Sequence, residues 1–280
     1  MKKLKHCHFQ ICYNEYPFLV EKLPFLYKNF DQLIFYDLCV TKQPYSNSND
    51  GSLEFLKKYP DPEKKIIILD SKDLSGVRTD IGMSVVGKKQ MFVKGSQYVK
   101  DDMNVFWCTD ADEFFSQETF DKVDDFFATN EKHQSYDFPH YVFFKDADHI
   151  FCNNDVKQDT MTLGWGRIAR HKKGNIYGHC TITKQYPPTY FDNNSRYFHF
   201  AYVGDSRVKY KLTYLPNKKD FIDKCWNVNL NNVKDDQVYG YDIGMHPNKE
   251  VKKGIKKINV ALPDYINKER LLKNLNRKKP

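Results

Sequence analysis

Three short apolar runs, each closely followed by an acidic residue, constrain the fold of this 280-residue chain most strongly. The runs and the acids that follow them are Leu33–Tyr36 with Asp37, Ile66–Leu69 with Asp70, and Val105–Cys108 with Asp110. Runs of this length, rich in β-branched and aromatic residues, are typical of strands buried on both faces of a parallel sheet. Between the strands, over residues 18–30 and 81–99, apolar residues recur at near-helical spacing. The alternation predicts an α/β fold with a doubly wound, mostly parallel sheet flanked by helices.

Polar side chains stand where the predicted strands end. They are Asn14 and Glu15 after a first strand at residues 8–13, and Asp37, Asp70 and Asp110 after the next three strands. Ligands of open α/β sheets bind at the carboxyl ends of the strands, so we expect a nucleotide site there. No Gly-x-Gly-x-x-Gly follows the first strand and the sequence has no P-loop, which disfavours a dinucleotide enzyme and a P-loop kinase. Metal and basic side chains would then hold the phosphates.

The segment Asp110-Ala111-Asp112 is the strongest candidate for a metal site. In extended chain the two carboxylates project to the same side, where they could share a hard divalent cation. A diphosphate would complete the coordination. The alternative is that both residues only open a helix, because acidic residues favour helix N-termini and Glu113-Phe114-Phe115 has the composition of a helix or turn entry.

Together these motifs resemble those of GT-A-fold glycosyltransferases of the family-two-like type. The motifs are Tyr13-Asn14-Glu15, Asp37, Thr109-Asp110-Ala111-Asp112-Glu113-Phe114-Phe115 and Phe198-His199-Phe200-Ala201-Tyr202. The resemblance covers about residues 8 to 215 and implies a Rossmann-type sheet with a smaller, mixed acceptor-side region. We expect a nucleotide-sugar-binding half over residues 1–130, an acceptor-binding half of the same domain over 131–246, and a basic tail with a short helix over 247–280.

The resemblance implies a role for each matching residue. Asp112 and His199 would bind Mn²⁺ or Mg²⁺, and Asp110 would contact the metal or the ribose. The residues expected at the nucleotide sugar are Tyr13, Asn14, Glu15, Asp37, Arg78, Lys89, Gln90, Asp110 and Lys211. Lys211 is equally consistent with a solvated surface residue, and a lone histidine such as His199 is often a core residue.

The implied reaction moves a hexosyl or pentosyl group from a nucleoside diphosphate sugar, with UDP as the favoured nucleotide, to an acceptor hydroxyl. A divalent cation neutralises the charge that develops on the leaving diphosphate. An inverting enzyme also needs a carboxylate base, and the candidates are Asp148, Asp205 and Asp236. Asp146-Ala147-Asp148 could instead be a polar turn or the true metal site. Trp165 and Arg167 are the acceptor-side candidates, although Trp165 also suits a core position.

The charge of the chain is concentrated at its end. The net charge is +8, and residues 247–280 carry eleven Lys or Arg against three Asp or Glu. Such a segment suits a polyanion or an anionic surface, although a solvated face is the simple alternative. We therefore expect the acceptor to be a glycan or a hydroxylated base in DNA.

Two further readings stay open. The chain could be a non-catalytic nucleic-acid or membrane-surface binding module on the same fold, or a metal-dependent phosphohydrolase. No apolar stretch reaches the roughly 18 to 20 residues of a membrane span, and residues 1–6 lack a signal-peptide core, so we expect a cytoplasmic protein (host cytoplasm if viral) with no transmembrane segment. Seven singly spaced cysteines indicate reduced thiols.

Overall fold

The structure is a computed structural model, and the part of the chain it describes forms two compact units. The described residues are 3–38, 47–73, 85–153, 167–173, 177–178, 181–182, 189–205, 207–208, 228–233, 239–241 and 253–276. Unit 1 comprises Met1–Ala111, Ser116–Asp137 and Gly164–Asp192, and unit 2 comprises Asp112–Phe115, Phe138–Leu163 and Asn193–Pro280. Each unit contains a sheet of its own and is built from three separate segments of the chain. The first passage from unit 1 to unit 2 follows Ala111.

Fifteen strands and five helices are present in the described residues. The strands are β1 (His6–Cys12), β2 (Gln32–Asp37), β3 (Ile66–Leu69), β4 (Val105–Cys108), β5 (Glu113–Phe114), β6 (Ser135–Asp137), β7 (His140–Lys145), β8 (His149–Asn153), β9 (Ile168–Arg170), β10 (Tyr177–Gly178), β11 (Thr181–Ile182), β12 (Thr189–Phe191), β13 (Tyr197–Val203), β14 (Tyr239–Tyr241) and β15 (Lys253–Lys257). The helices are α1 (Tyr16–Asn29), α2 (Ser52–Lys58), α3 (Val85–Ser96), α4 (Gln117–Thr129) and α5 (Lys268–Leu275).

Unit 1 is built on a seven-stranded sheet in the order β12-β6-β9-β4-β1-β2-β3. Strands β4, β1, β2 and β3 run parallel to one another, and β9 runs antiparallel to both of its neighbours. Every residue of β1 and β2 is buried, which explains the apolar run Leu33–Tyr36 in β2, whereas β1 also buries the polar residues His6, His8 and Gln10. The prediction of an α/β fold with a mostly parallel central sheet and helices is confirmed.

The core of unit 1 lies between this sheet and α3. Phe9 and Phe106 on the sheet pack with Phe92 of the helix, and the rings of Phe9 and Phe92 are 4.9 Å apart. Gly95 permits this approach, since a Cβ atom there would lie 1.8 Å from the Phe9 ring. Cys7, Cys12 and Cys108 are buried.

Unit 2 contains a six-stranded mixed sheet in the order β14-β15-β8-β7-β13-β5. Strand β13 is parallel to β7 and antiparallel to β5, whereas β7, β8, β15 and β14 follow one another in antiparallel pairs. Val142, Phe151 and Ile255 contribute to an apolar cluster on this sheet. The expected helix or turn entry at residues 113–115 begins instead as β5, because Glu113 and Phe114 pair with β13.

The basic end of the chain takes part in unit 2. Lys253–Lys257 form β15, which lies between β8 and β14 and is therefore an interior strand. The short helix expected within residues 247–280 is α5, and its N-cap is Asn267, whose side chain accepts from the Arg270 N–H at 2.9 Å.

Among the described helices, none is both long and apolar enough to cross a membrane.

Candidate metal centre

Three strands of unit 2 place one carboxylate and two imidazoles on the same face of the mixed sheet. Glu113 on β5 lies opposite His199 on β13, and His140 on β7 lies opposite Tyr197, two residues before His199. Because side chains alternate between the two faces along a strand, Glu113, His140 and His199 project to one face. One ligand atom of each residue lies within 4.8 Å of the other two.

The distances within this group suit a shared cation better than hydrogen bonds. The Glu113 Oε1 atom is 3.8 Å from Nδ1 of His140 and 3.9 Å from Nδ1 of His199. These separations exceed hydrogen-bond length. Two ligands that each lie about 2.1 Å from one metal ion are at most about 4.2 Å apart. Glu113 and His140 are fully buried and the His199 side chain is 15 % exposed, so an ion held here would be largely removed from water. The group could therefore hold a metal ion.

Asp112 adds a second carboxylate beside His199. Its Oδ2 atom is 3.4 Å from Nε2 of His199, so the two ring nitrogens of this histidine face two different carboxylates. Asp112 is 3 % exposed, and its main-chain carbonyl accepts from the N–H of Phe200 at 2.8 Å. The structure thus brings together Asp112 and His199, two of the three predicted metal ligands. The third, Asp110, belongs to unit 1.

Arg207 holds the Asp112 carboxylate. Its Nη2 atom donates to Asp112 Oδ2 at 2.5 Å, and its Nη1 atom donates to the carbonyls of Phe200 and Ala201 at 3.1 and 2.9 Å. Both partners of the ion pair are almost fully buried. Burial, with the negative charge of Asp112 as a second cause, raises the pKa of the nearby Tyr202 to about 12, although Arg207 opposes the shift. Arg207 therefore supplies the positive charge that pairs with the buried Asp112 carboxylate.

A β-bulge creates the acceptors that orient Arg207. His199 pairs with Val142 and Tyr202 pairs with Phe144, so β13 has one more residue than β7 between these two pairs. Phe200 and Ala201 occupy the irregular step, and their carbonyls accept from Arg207. The local departure from regular pairing thus supplies the groups that position the positive charge at Asp112.

The strand ends of unit 1 carry a separate polar group. Asp37 is fully buried and accepts hydrogen bonds from the main-chain N–H of Ser48, at 3.0 Å, and from the Ser48 hydroxyl. The same hydroxyl accepts from the N–H of Asn14, at 2.8 Å, and Asn14 has a left-handed backbone with φ 56°. Burial raises the pKa of Asp37 to about 6, and the two hydrogen bonds from Ser48 oppose this shift. Ser48 therefore links the ends of β1 and β2.

A buried lysine fastens the end of β4. Lys22 of α1 is fully buried, and its ammonium donates to the Asp110 carbonyl at 2.9 Å, to the Thr109 hydroxyl at 2.8 Å and to the Gln10 side chain at 3.0 Å. The Asp110 side chain is 24 % exposed and lies 4.0 Å from Nη1 of Arg167, a predicted acceptor-side residue. This arrangement positions the backbone of the predicted motif and leaves the Asp110 carboxylate partly accessible.

The candidate bases lie at different places in unit 2. Asp146 and Asp148 form the turn between β7 and β8, where Asp146 accepts from the N–H groups of Asp148 and His149 at 2.9 Å. This agrees with the alternative of a polar turn. The Asp148 carboxylate is about half exposed and accepts from Lys268 Nζ at 2.6 Å. Asp205 is exposed.

The remaining predicted residues divide into two sets. Glu15 is the N-cap residue of α1, where its N–H donates to the Ser52 hydroxyl at 3.1 Å, and Tyr13 precedes Asn14 as a half-buried residue. Several candidates lie outside the described residues, namely Arg78, Trp165, Lys211 and Asp236, together with the side chains of Lys89 and Gln90 in α3.

Sequence reasoning missed Glu113, His140 and Arg207. Glu113 directly follows the predicted motif, and its position next to Asp112 was a usable signal. His140 and Arg207 had no such signal, because only the pairing of β7 with β13 and the bulge in β13 bring them to this group.

No protein-family model matches this chain, and no curated protein is significantly similar to it in sequence.

Proposed function

We propose that this chain is a metal-dependent glycosyltransferase of GT-A-like fold. In this proposal it moves a sugar from a nucleoside diphosphate sugar, with UDP as the favoured nucleotide, to an acceptor hydroxyl. The observation that carries the proposal is the buried group of Glu113, His140 and His199 beside Asp112. Asp112 belongs to the motif that resembles the family, and the group could hold the ion that such a reaction requires.

The ligand set favours Mn²⁺ over Mg²⁺. Mg²⁺ binds oxygen ligands and keeps several of its waters, whereas imidazole nitrogen suits transition metals. Two imidazoles and one carboxylate, with the Asp112 carboxylate on the other ring nitrogen of His199, therefore suit Mn²⁺ better than Mg²⁺. When bound, the ion would supply positive charge for the diphosphate leaving group.

Arg207 is proposed to contact the diphosphate. A guanidinium can pair with phosphate through two parallel hydrogen bonds and keeps its charge at any physiological pH. The contacts with the carbonyls of Phe200 and Ala201 hold this group in one orientation. With Glu113, His140 and His199 holding a cation beside Asp112, the Nη2 of Arg207 would be able to donate to a phosphate oxygen instead. Arg207 would then stabilise the negative charge that develops as the sugar leaves.

The other parts of the proposal rest on the resemblance. The nucleoside stays predicted at the strand ends of unit 1, where Ser48 joins Asn14 to the buried Asp37. Asp205 and Asp236 stay candidate bases, whereas the pairing of Asp148 with Lys268 makes that carboxylate the weaker candidate. The acceptor, a glycan or a hydroxylated base in DNA, and the cytoplasmic location stay predictions.

A metal-dependent phosphohydrolase is the second candidate, and one observation favours it. Two histidines and one glutamate form the ligand set of several catalytic zinc sites, in which a water molecule takes the fourth position and becomes the nucleophile. Glu113, His140 and His199 have this composition. Such an enzyme would release phosphate without an acceptor.

Metal binding is the first test of the proposal. Mn²⁺ is titrated into metal-free protein, and the free ion is followed by electron paramagnetic resonance. We expect binding by the wild type, and binding at least about 100-fold weaker for Glu113→Gln and for His140→Ala, because even changes outside the ligand shell cost about 10- to 100-fold. The control is His133→Gln, which alters a half-buried histidine of unit 1. Equal affinity in all four proteins would refute this metal centre.

Nucleotide binding and turnover separate the two enzyme classes. With Mn²⁺ present, UDP and a set of UDP sugars are screened for a rise in Tm, since a ligand stabilises the state that binds it. A transferase should show a Mn²⁺-dependent rise with the donor and slow hydrolysis of it. Rapid phosphate release from phosphate esters, with no rise from any nucleotide, would replace the glycosyltransferase with the phosphohydrolase.

A further inference from the structure

A polar cavity in unit 2 is distinct from the candidate metal centre. It has a volume of about 480 Å³ and is lined by Tyr141, Asp148, Lys256, Lys257 and residues 258–260. Cavities of roughly 300 to 1,000 Å³ are typical of small-molecule sites. The size of this cavity is therefore sufficient for a small ligand.

Strand pairing places this cavity on the other face of the mixed sheet. Tyr141 follows His140 in β7 and lies opposite Phe198, the residue before His199. Because successive side chains of a strand point to opposite faces, Tyr141 and His140 face away from each other. Lys256 lies opposite Ile150, and Ile150 lies opposite Phe143, which shares the face of Tyr141. A ligand in the cavity is thus separated by the sheet from the predicted metal ligands.

The charges around the cavity favour an anion. Lys256 and Lys257 line it, and Lys268 reaches its edge through the 2.6 Å contact with Asp148. Lys257 follows Lys256 in β15 and lies opposite His149, so of these two side chains only that of Lys256 shares the face of Tyr141. The ammonium groups of Lys256 and Lys268 therefore stand against one carboxylate on this face. Arg196 adds a further positive charge, since its guanidinium carbon lies 5.8 Å from the centre of the Tyr141 ring.

The remaining lining favours a hydroxylated ligand over a purely apolar one. The Tyr141 ring offers a flat apolar surface and the Asn259 side chain offers both a donor and an acceptor. Asp148, already oriented by Lys268, can accept from a hydroxyl. An aromatic surface, amide and carboxylate groups and an excess of lysine suit a sugar that carries negative charge.

We propose that this cavity is a binding site for a small anionic saccharide, a sugar bearing a carboxylate or a phosphate. The site does not depend on the proposed transferase activity, because its residues lie on the face opposite the metal centre. It would bind such a sugar without metal or nucleotide. The lysines supply the attraction for the anion, and Tyr141, Asn259 and Asp148 supply contacts for the ring and its hydroxyls.

Ligand-observed saturation-transfer NMR tests this site directly. The probes are glucuronate, glucose 6-phosphate and glucose, measured with the full chain in EDTA, so that failure of the metal centre has no influence. We expect at least one anionic sugar to bind and glucose to bind on the order of 5-fold more weakly or not at all. Binding of glucuronate alone or of glucose 6-phosphate alone identifies the anion. Binding should weaken with NaCl, because salt screens the attraction.

Variants decide whether the cavity is the site. Lys256→Gln should reduce binding of the anionic sugar by on the order of 10-fold or more, whereas Lys132→Gln, an exposed lysine of unit 1, should leave it unchanged. If Lys256→Gln does not fold, Asn259→Asp serves instead and should also weaken binding, because it adds a negative charge to an exposed lining residue. The inference is overturned if glucose binds as well as the anionic sugars, or if the variants bind like wild type. It is also overturned if only a DNA duplex binds in a lysine-dependent way.

Discussion

Replacing Arg207 with methionine should destabilise the metal-free protein and strengthen its response to Mn²⁺. The substitution leaves the Asp112 carboxylate buried, at 3 % exposure, without its 2.5 Å partner. Removing one member of a buried ion pair costs about 3 to 5 kcal/mol. For a protein of this size that loss lowers Tm by roughly 6 to 15 °C. We expect saturating Mn²⁺ to recover much of this loss, since the ion provides the positive charge that Arg207 supplied.

The assay compares Tm and the free energy of unfolding with EDTA and with Mn²⁺. The matched control is Arg170→Met, because Arg170 donates to the carbonyls of Phe127 and Asn130 at 2.9 and 2.8 Å, much as Arg207 donates to two carbonyls. Arg170 lies in unit 1, so its loss should also destabilise the protein but should not be recovered by Mn²⁺. Equal Mn²⁺ responses of wild type and Arg207→Met would refute the reasoning that an ion and Arg207 compete for Asp112.

Three further predictions concern other parts of the molecule. Glu113→Gln should abolish the rise in Tm that Mn²⁺ produces in wild type. For an ion at about 100 times its Kd, this rise corresponds to about 2.7 kcal/mol of added stability. A rise in Glu113→Gln equal to that of wild type would exclude Glu113 as a ligand. Asp37, with its pKa raised to about 6, stabilises the fold when protonated and loses that contribution as pH rises through 6. We therefore expect the free energy of urea unfolding of wild type, minus that of Asp37→Asn, to fall by up to about 3 kcal/mol between pH 4 and pH 7. A difference that does not change with pH would contradict this prediction. Gly95→Ala should destabilise unit 1 by about 1 to 3 kcal/mol, because the new Cβ would lie 1.8 Å from the Phe9 ring, and an unchanged Tm would show that α3 can shift at no cost.

The parallel strands of unit 1 could be predicted because their signal is local. Strands β2, β3 and β4 each coincide with one short apolar run, and burial on both faces explains why the runs in β2 and β4 are apolar throughout, whereas β3 lies at the sheet edge and is only partly buried. Helix α1 could likewise be placed from apolar spacing alone, although Pro24 lies inside the helix.

The mixed sheet of unit 2 could not be predicted in the same way. Glu113-Phe114 is a two-residue strand whose conformation depends on pairing with β13, far along the chain. The local composition of residues 113–115 indicated the start of a helix or turn. The neighbouring residues carry no information about β13, the strand with which Glu113 and Phe114 pair. His140 joins the candidate metal centre for the same kind of reason, because the register of β7 against β13 decides which side chains share a face.

The extra residue in β13 makes the placement of charge sensitive to chain length. Deleting one residue from the irregular step between His199 and Tyr202 would give β13 and β7 equal spacing there, so that the ladder could run without interruption. A strand without the bulge would be expected to fold at least as readily. It would, however, move the two carbonyl oxygens that accept hydrogen bonds from the Arg207 guanidinium and orient it. A shortened chain of this kind would keep every ionisable side chain of the candidate centre and still lose the alignment of Arg207, so the proposed centre would depend on an irregularity in the sheet as much as on the identity of any ligand.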